Sequence, residues 1–372
     1  MSVQLHKKSR MANIEMLRIL AMMMVVSLHF LAKGNLLEPL AEKMSAKGYV
    51  AWLLESFSIM AVDVYVLISG YFLVETGFRL KRLVNLVLQT MFYTCLVPIV
   101  LILAGVLPIG SLTLYDILLY VFPTNMLHYW FLSAYVLMFL FTPVLNVAVR
   151  AMKKQQLQWA IIILLVMESV SKTLIPVRLE LDNLGYDAFW FMVVYLIAAY
   201  IRLYGIPFFS DIKKSTITYL GTCLLIFTWT MGIRFVFLKT GQFQNFIESA
   251  YGYNHLFTIT GAVALFYTFY YLKVNSQKVS AVVCRLAPYT FGVYLLHEHV
   301  NIRYEWPFWM GASDCNNAGS LVLHWVIAIV VVMVIGLAVD YIRSLLFKGI
   351  SKAFAKTKLS RCMAYVDDKL NG

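Results

Sequence analysis

With 372 residues, of which 61% are apolar and only 13% charged, and a mean hydropathy of +0.75, the chain is too apolar for a soluble fold to bury. Its net charge of +12 is spread over the segments between apolar blocks rather than gathered in one patch, so nucleic acid is not an expected partner and a lipid bilayer is. The five cysteines, Cys95, Cys223, Cys284, Cys315 and Cys362, are scattered without metal-ligand spacing, so neither a disulfide framework nor zinc is indicated.

The apolar blocks run for roughly 18 to 24 residues, the length that crosses about 30 Å of hydrocarbon at about 1.5 Å per residue. In chain order ten spans are expected, at 14-32, 52-74, 83-106, 129-149, 158-175, 186-204, 216-238, 254-273, 288-304 and 321-346. Leu112 to Pro123 is apolar but too short to cross, which suits an interfacial or re-entrant piece. The runs are continuously apolar instead of alternating, which argues against a β-barrel. The expected fold is an all-α polytopic membrane protein: one membrane domain over 1-347 and a basic, amphipathic tail over 348-372 that suits an anionic leaflet.

Orientation is read from positive charge. Alternate connections, beginning with His6, Lys7, Lys8 and Arg10 and ending with the tail, hold 22 of the 31 Lys and Arg residues. The opposite face holds seven, Arg178 among them, and Arg18 and Arg234 stay inside spans. Both termini are therefore expected in the cytoplasm; the membrane expected is a bacterial inner one. The first 31 residues have the basic start and apolar stretch of a signal peptide, but Arg18 and His29 interrupt it and no small-x-small cleavage site follows, so an uncleaved span is expected.

An ionisable side chain in a span costs on the order of 2.5 to 3.5 kcal/mol and is a functional candidate by default. The first span carries Glu15, Arg18 and His29. Arg18 and His29 are eleven residues apart, which is three turns plus about 20°, so they share a face roughly 16 Å apart along the axis. Glu15 lies one turn from Arg18 and can pair with it. Snorkelling of Arg18 to the interface, or a headgroup position for His29, would be the plain structural alternatives. His128, His255, His297, His299 and His324 fall at the level of His29, which points to a proton-handling chamber. A metal site is disfavoured because these residues come from separate helices and His297 and His299 would face different ways. In the second span Asp63 can orient a histidine, bind a substrate hydroxyl, or hydrogen-bond a neighbouring helix, while Ser69-Gly70 suits close helix contact. The loop 242-255, with Phe243, Asn245, Phe246, Glu248, Tyr251, Tyr253 and Asn254, can stack on sugars or form an interfacial aromatic belt.

The segment from Asn13 through Arg18 to His29, with Val62-Asp63 and Leu67 to Phe72, His128 to Leu132, and Thr290 to His297, resembles integral membrane acyltransferase family 3, whose members O-acylate cell-surface polysaccharides. The resemblance implies a membrane O-acyltransferase taking acyl groups, usually acetyl, from cytoplasmic acyl-CoA to a hydroxyl of a glycan or its lipid-linked precursor. It makes His29 catalytic, with Arg18 as its polar partner; Asp63, from its place in the second span, is the further catalytic candidate. It places the donor on Arg18, Arg79, Lys81 and Arg82, where the middle residue is lysine rather than arginine. Glu15, His128, Trp130, Tyr294 and His297 are then the expected substrate contacts, and no metal is expected. A lipid-linked sugar flippase or polysaccharide exporter is the alternative function, and a non-catalytic scaffold would leave the cost of Arg18 and His29 without a purpose.

Overall fold

The computed structural model describes residues 10-175, 183-354 and 357-371; His6, Lys7, Lys8 and Arg178, part of the charge pattern, lie outside the described residues. Every regular element among the described residues is helical: α1 (Ala12–Lys33), α2 (Ala46–Ser58), α3 (Ala61–Thr76), α4 (Leu80–Leu103), α5 (Leu114–Val121), α6 (Trp130–Ala151), α7 (Lys154–Leu165), α8 (Ser171–Leu174), α9 (Ala188–Tyr204), α10 (Ile212–Thr240), α11 (Leu256–Tyr271), α12 (Gln277–Leu286), α13 (Thr290–His297), α14 (Trp306–Trp309), α15 (Ala318–Phe354) and α16 (Lys358–Asn371). Short 3-10 turns and one π-helical turn, Val166–Val170, link some of them.

Eight stretches among the described residues are long and apolar enough to cross a bilayer. The sixth and eighth expected spans are α9 and α11, of 17 and 16 residues. Both are buried along most of their length, so protein rather than lipid covers them and less length suffices. Exposed leucines, isoleucines and valines on α4, α6, α10 and α15 form the lipid-facing exterior instead.

Local chemistry sets the element ends. Asp187 and Asp211 accept backbone N–H bonds from Trp190 and Lys214, both at 2.9 Å, and so cap α9 and α10. Thr113 and Asp116 form a reciprocal capping box on α5, the eight-residue helix that occupies the short apolar stretch. The second span begins earlier than expected, at Ala46, and breaks between α2 and α3, where Ser58 donates to Ser27 of α1 at 3.1 Å.

The ninth span departs most from expectation. It runs over Gln277–His297 rather than 288-304, with Pro288 in a 3-10 turn between α12 and α13. Residues 298-305 leave the helix as turns, because Glu298, His299, Asn301 and Arg303 carry too much polarity for a lipid-facing segment. This part of the chain folds back into the bundle.

Small residues bring the central helices together. A Cβ on Gly70 of α3 would sit 2.8 Å from Ala198 of α9, and one on Gly292 of α13 would sit 2.4 Å from Asp340 of α15. Asp340 is fully buried and accepts bonds from Tyr93 at 2.9 Å, Gln89 at 3.0 Å and Arg343 at 2.6 Å, tying α4 to α15. The tail continues α15 and ends in α16, which packs on α4 and places Asp367 against the Leu80 N–H.

Candidate active site

Two cavities follow one another along α1. The larger, about 720 Å³, is lined by Glu15 and Arg18 of α1 and Met11 just before it, by Arg10 and Arg82, and by Arg202 of α9. The smaller, about 30 Å³, is lined by Met22, Val25 and His29 of α1. Residues 11, 15, 18, 22, 25 and 29 are spaced four and three apart, one unbroken face of a helix. The same holds across the gap: α3 contributes Ser69, Phe72 and Thr76 below with Val62 and Tyr65 above, and α6 contributes Tyr135 and Phe139 below with Phe131 above. Three helices thus turn one face each toward a common axis joining an arginine-rich end to His29. Arg18 pairs with Glu15 at 3.2 Å, and Tyr65 donates to the Arg18 carbonyl at 2.9 Å while lining the upper cavity.

At the upper end the hydrogen bonds specify a tautomer. His297 Nδ1 lies 2.6 Å from the Val293 carbonyl, which can only accept, so that nitrogen carries the proton and Nε2 carries a lone pair. His29 Nδ1 lies 2.9 Å from this Nε2 and 3.2 Å from a Glu298 carboxylate oxygen. Both neighbours accept, so His29 Nδ1 is the protonated nitrogen and its Nε2 is left with a free lone pair. Glu298 is in turn held by Lys33 and, at 3.9 Å, by Arg303. A base with a fixed proton on one side and an open lone pair on the other can take a proton from a hydroxyl.

The family comparison follows that geometry. The description of an acyltransferase domain matches residues 11-341, which contain the lining of both cavities apart from Arg10, and the whole histidine network. The chain belongs to acyltransferase family 3. No curated protein and no solved structure matches it. A family 3 chain with this many apolar helices is an integral membrane acyltransferase, and among the described elements α16 and the end of α15 extend beyond the matched domain.

Within this family 3 site, Trp130 and Tyr294 line the upper cavity with His29, and Glu15 lines the lower one with Arg18 and Arg82. The cluster after α3 divides. Arg82 joins the lower cavity, Arg79 lines a separate groove with Arg150, Asp367 and Asp368, and Lys81 is exposed and lines neither. Asp63 is not brought to His29: it accepts from Trp190 Nε1 at 2.9 Å, because α3 presents Val62 and Tyr65 to the cavity and turns position 63 toward α9. The orienting carboxylate is Glu298 instead.

The other histidines also separate. His128 packs beside His299, 4.6 Å between ring centroids, outside the cavity lining, and each is bonded to backbone: His128 to Leu119 and Val300, His299 to Thr94 and Asn301. His255 caps α11, and His324 bonds the Met310 carbonyl. One joint chamber of all six is therefore not formed.

The expectation that separate helices keep potential metal ligands apart is overturned by the fold. His29, His297 and Glu298 offer ligand atoms within 4.8 Å of one another. Lys33 and Arg303 already neutralise the carboxylate, which suits proton handling better than a divalent cation. The loop 242-255 is no interfacial belt: Ile247, Ala250, Tyr251, Tyr253 and Asn254 are buried, and Tyr253 lines the upper cavity stacked on Trp130 at 5.7 Å. Glu298, Lys33, Arg303 and Tyr65 were not singled out as site residues from sequence, whereas Tyr253 was, within the loop read as able to stack on sugars. Lys33 was within reach, one turn beyond His29 on the same face.

Proposed function

We propose that the chain is a membrane O-acyltransferase that moves an acyl group, acetyl in the simplest case, from cytoplasmic acyl-CoA to a hydroxyl of a cell-surface glycan or its lipid-linked precursor. The observation that carries this reading is the continuous face of α1, which leads from an arginine-lined cavity to an imidazole with a free Nε2. The excess of Lys and Arg on alternate loops supports a cytoplasmic position for the termini and for the lower cavity, and the membrane we propose is a bacterial inner one. Guanidinium groups of Arg10, Arg82 and Arg202 suit the phosphates of a nucleotide thioester, and Arg18 marks where its pantetheine arm would enter the bundle.

In this mechanism His29 Nε2 removes the proton of the acceptor hydroxyl as its oxygen bonds to the thioester carbonyl carbon, and the carbonyl π electrons move onto oxygen. Collapse of that intermediate re-forms the carbonyl and breaks the C–S bond. The leaving thiolate takes the proton back from His29, giving an ester and free CoA. Glu298 holds the imidazolium in place between the two transfers.

His29→Ala should abolish acyl transfer from radiolabelled acetyl-CoA while leaving acetyl-CoA binding and thermal unfolding close to wild type; full turnover by that variant refutes the mechanism. Mass spectrometry of surface polysaccharide from a deletion strain should show the loss of one ester-linked acyl group and so identify the acceptor.

A further inference from the structure

His29 and the loop that holds it account for proton transfer, but thioester attack also develops negative charge on the carbonyl oxygen, and a buried site must provide for it. Tyr294 stands where such a group is needed. It is 6% exposed, lines the upper cavity with His29, and its ring lies 6.4 Å from the imidazole, centroid to centroid. Its hydroxyl donates to no acceptor among the described residues and lies beside the backbone N–H of Phe131. Buried hydroxyls are seldom left so, because an unsatisfied one costs about 1 to 3 kcal/mol, and an exception calls for a ligand or a reacting atom. The neighbouring tyrosine makes the contrast: Tyr129, also buried, donates to the Leu295 carbonyl at 2.7 Å.

A second feature of the same cavity points the same way. Helix α6 starts at Trp130 with no side-chain cap on its first turn, and Trp130 and Phe131 of that turn line the cavity. The uncapped first turn of this 22-residue helix carries the positive end of the helix dipole, and its Phe131 N–H is directed at the Tyr294 hydroxyl. A developing oxyanion would face an O–H donor and a helix N-terminus together.

We propose that Tyr294, with the first turn of α6, forms the oxyanion site of the transfer reaction. The tyrosine donates a hydrogen bond and keeps its proton; only His29 exchanges one. The inference rests on the transferase reading above, and the test separates the two. Wild-type protein in proteoliposomes is given radiolabelled acetyl-CoA and the envelope glycan fraction of a strain lacking the chain. If wild type transfers no label, the transferase reading fails.

If wild type transfers label, Tyr294→Phe is expected to lower kcat by about 10²-fold or more, with the KM for acetyl-CoA and the unfolding temperature nearly unchanged. Fluorotyrosine at position 294, a stronger hydrogen-bond donor of nearly the same shape, should restore kcat and change it with phenol acidity. Wild-type kcat in Tyr294→Phe, or a fluorotyrosine series insensitive to acidity, overturns the oxyanion role. A Tyr294→Phe protein that loses acetyl-CoA binding or unfolds early makes Tyr294 structural and also overturns it.

Discussion

His29 gains its chemical character from residues far away in sequence. Its Nδ1 is held by His297 and Glu298, and Glu298 is held by Lys33 from the helix that carries His29. The pair is largely enclosed, with side chains 15% and 8% exposed for Lys33 and Glu298. Removing Glu298 leaves two cations, Lys33 and Arg303, without their counterion, at a cost of about 3 kcal/mol, while removing Lys33 leaves Glu298 to the longer contact with Arg303 alone. Lys33→Met and Glu298→Gln should each lower the unfolding temperature, and the double variant should lose clearly less than the sum; strictly additive losses would show that the pair is uncoupled. Arg18 and His29 were legible because their cost in a span and their eleven-residue spacing are local facts. Glu298 was not, because its role depends on a contact made across almost the whole chain. Of the three readings open for Asp63, the hydrogen bond to a neighbouring helix holds and the partnership with His29 does not: it is off the face that Val62, Tyr65 and Ser69 define, as a helical wheel of α3 alone shows.

At the scale of elements, the lining of both cavities is a matter of helical register. Four-and-three spacing on α1 continues on α3 and α6, so each helix keeps one face toward the axis without any special backbone device. Element ends were less legible. The ninth span was expected to run to 304 because apolar residues are interspersed to that point, but it ends at His297, where four polar side chains in seven residues turn the chain inward. Caps were not read from sequence, yet they carry a pH dependence. The Asp211 carboxylate, in the connection before α10, is held below the ordinary carboxylate range by the Lys214 N–H and then by Ser210. A depressed folded-state pKa means a stabilising contribution that is complete above the unfolded value and is lost as pH falls through the folded one. Asp211→Ala should therefore melt below wild type at pH 7, and the gap should close toward about pH 3. A gap that stays constant with pH would assign the cap no electrostatic part.

On the scale of the whole molecule, block length and hydropathy were enough for an all-helical membrane protein, since hydrocarbon leaves the backbone few other options. They did not separate lipid-facing helices from the enclosed α9 and α11, which depends on neighbours rather than on composition. Orientation rests on charge, and one thiol tests it. Cys362 of α16 is exposed, and with the tail in the cytoplasm a membrane-impermeant maleimide should label it only after the inner membrane is opened. Labelling of intact spheroplasts would invert the topology and with it the side from which the donor enters.

The aromatic row between the two cavities bears on energy conservation. Tyr65 stands edge-on to Phe131 at 6.3 Å, and Phe131 stacks on Tyr135 at 6.0 Å, between the level of Arg18 and that of His29. A polar channel open through a bilayer would short-circuit the proton gradient that the same membrane stores. Rings fill the middle, and the cavity above them is small, about 30 Å³. On the transferase reading, an incoming donor arm would take the place of water as it parts the rings, so the route could carry an acyl group while remaining an insulator to ions.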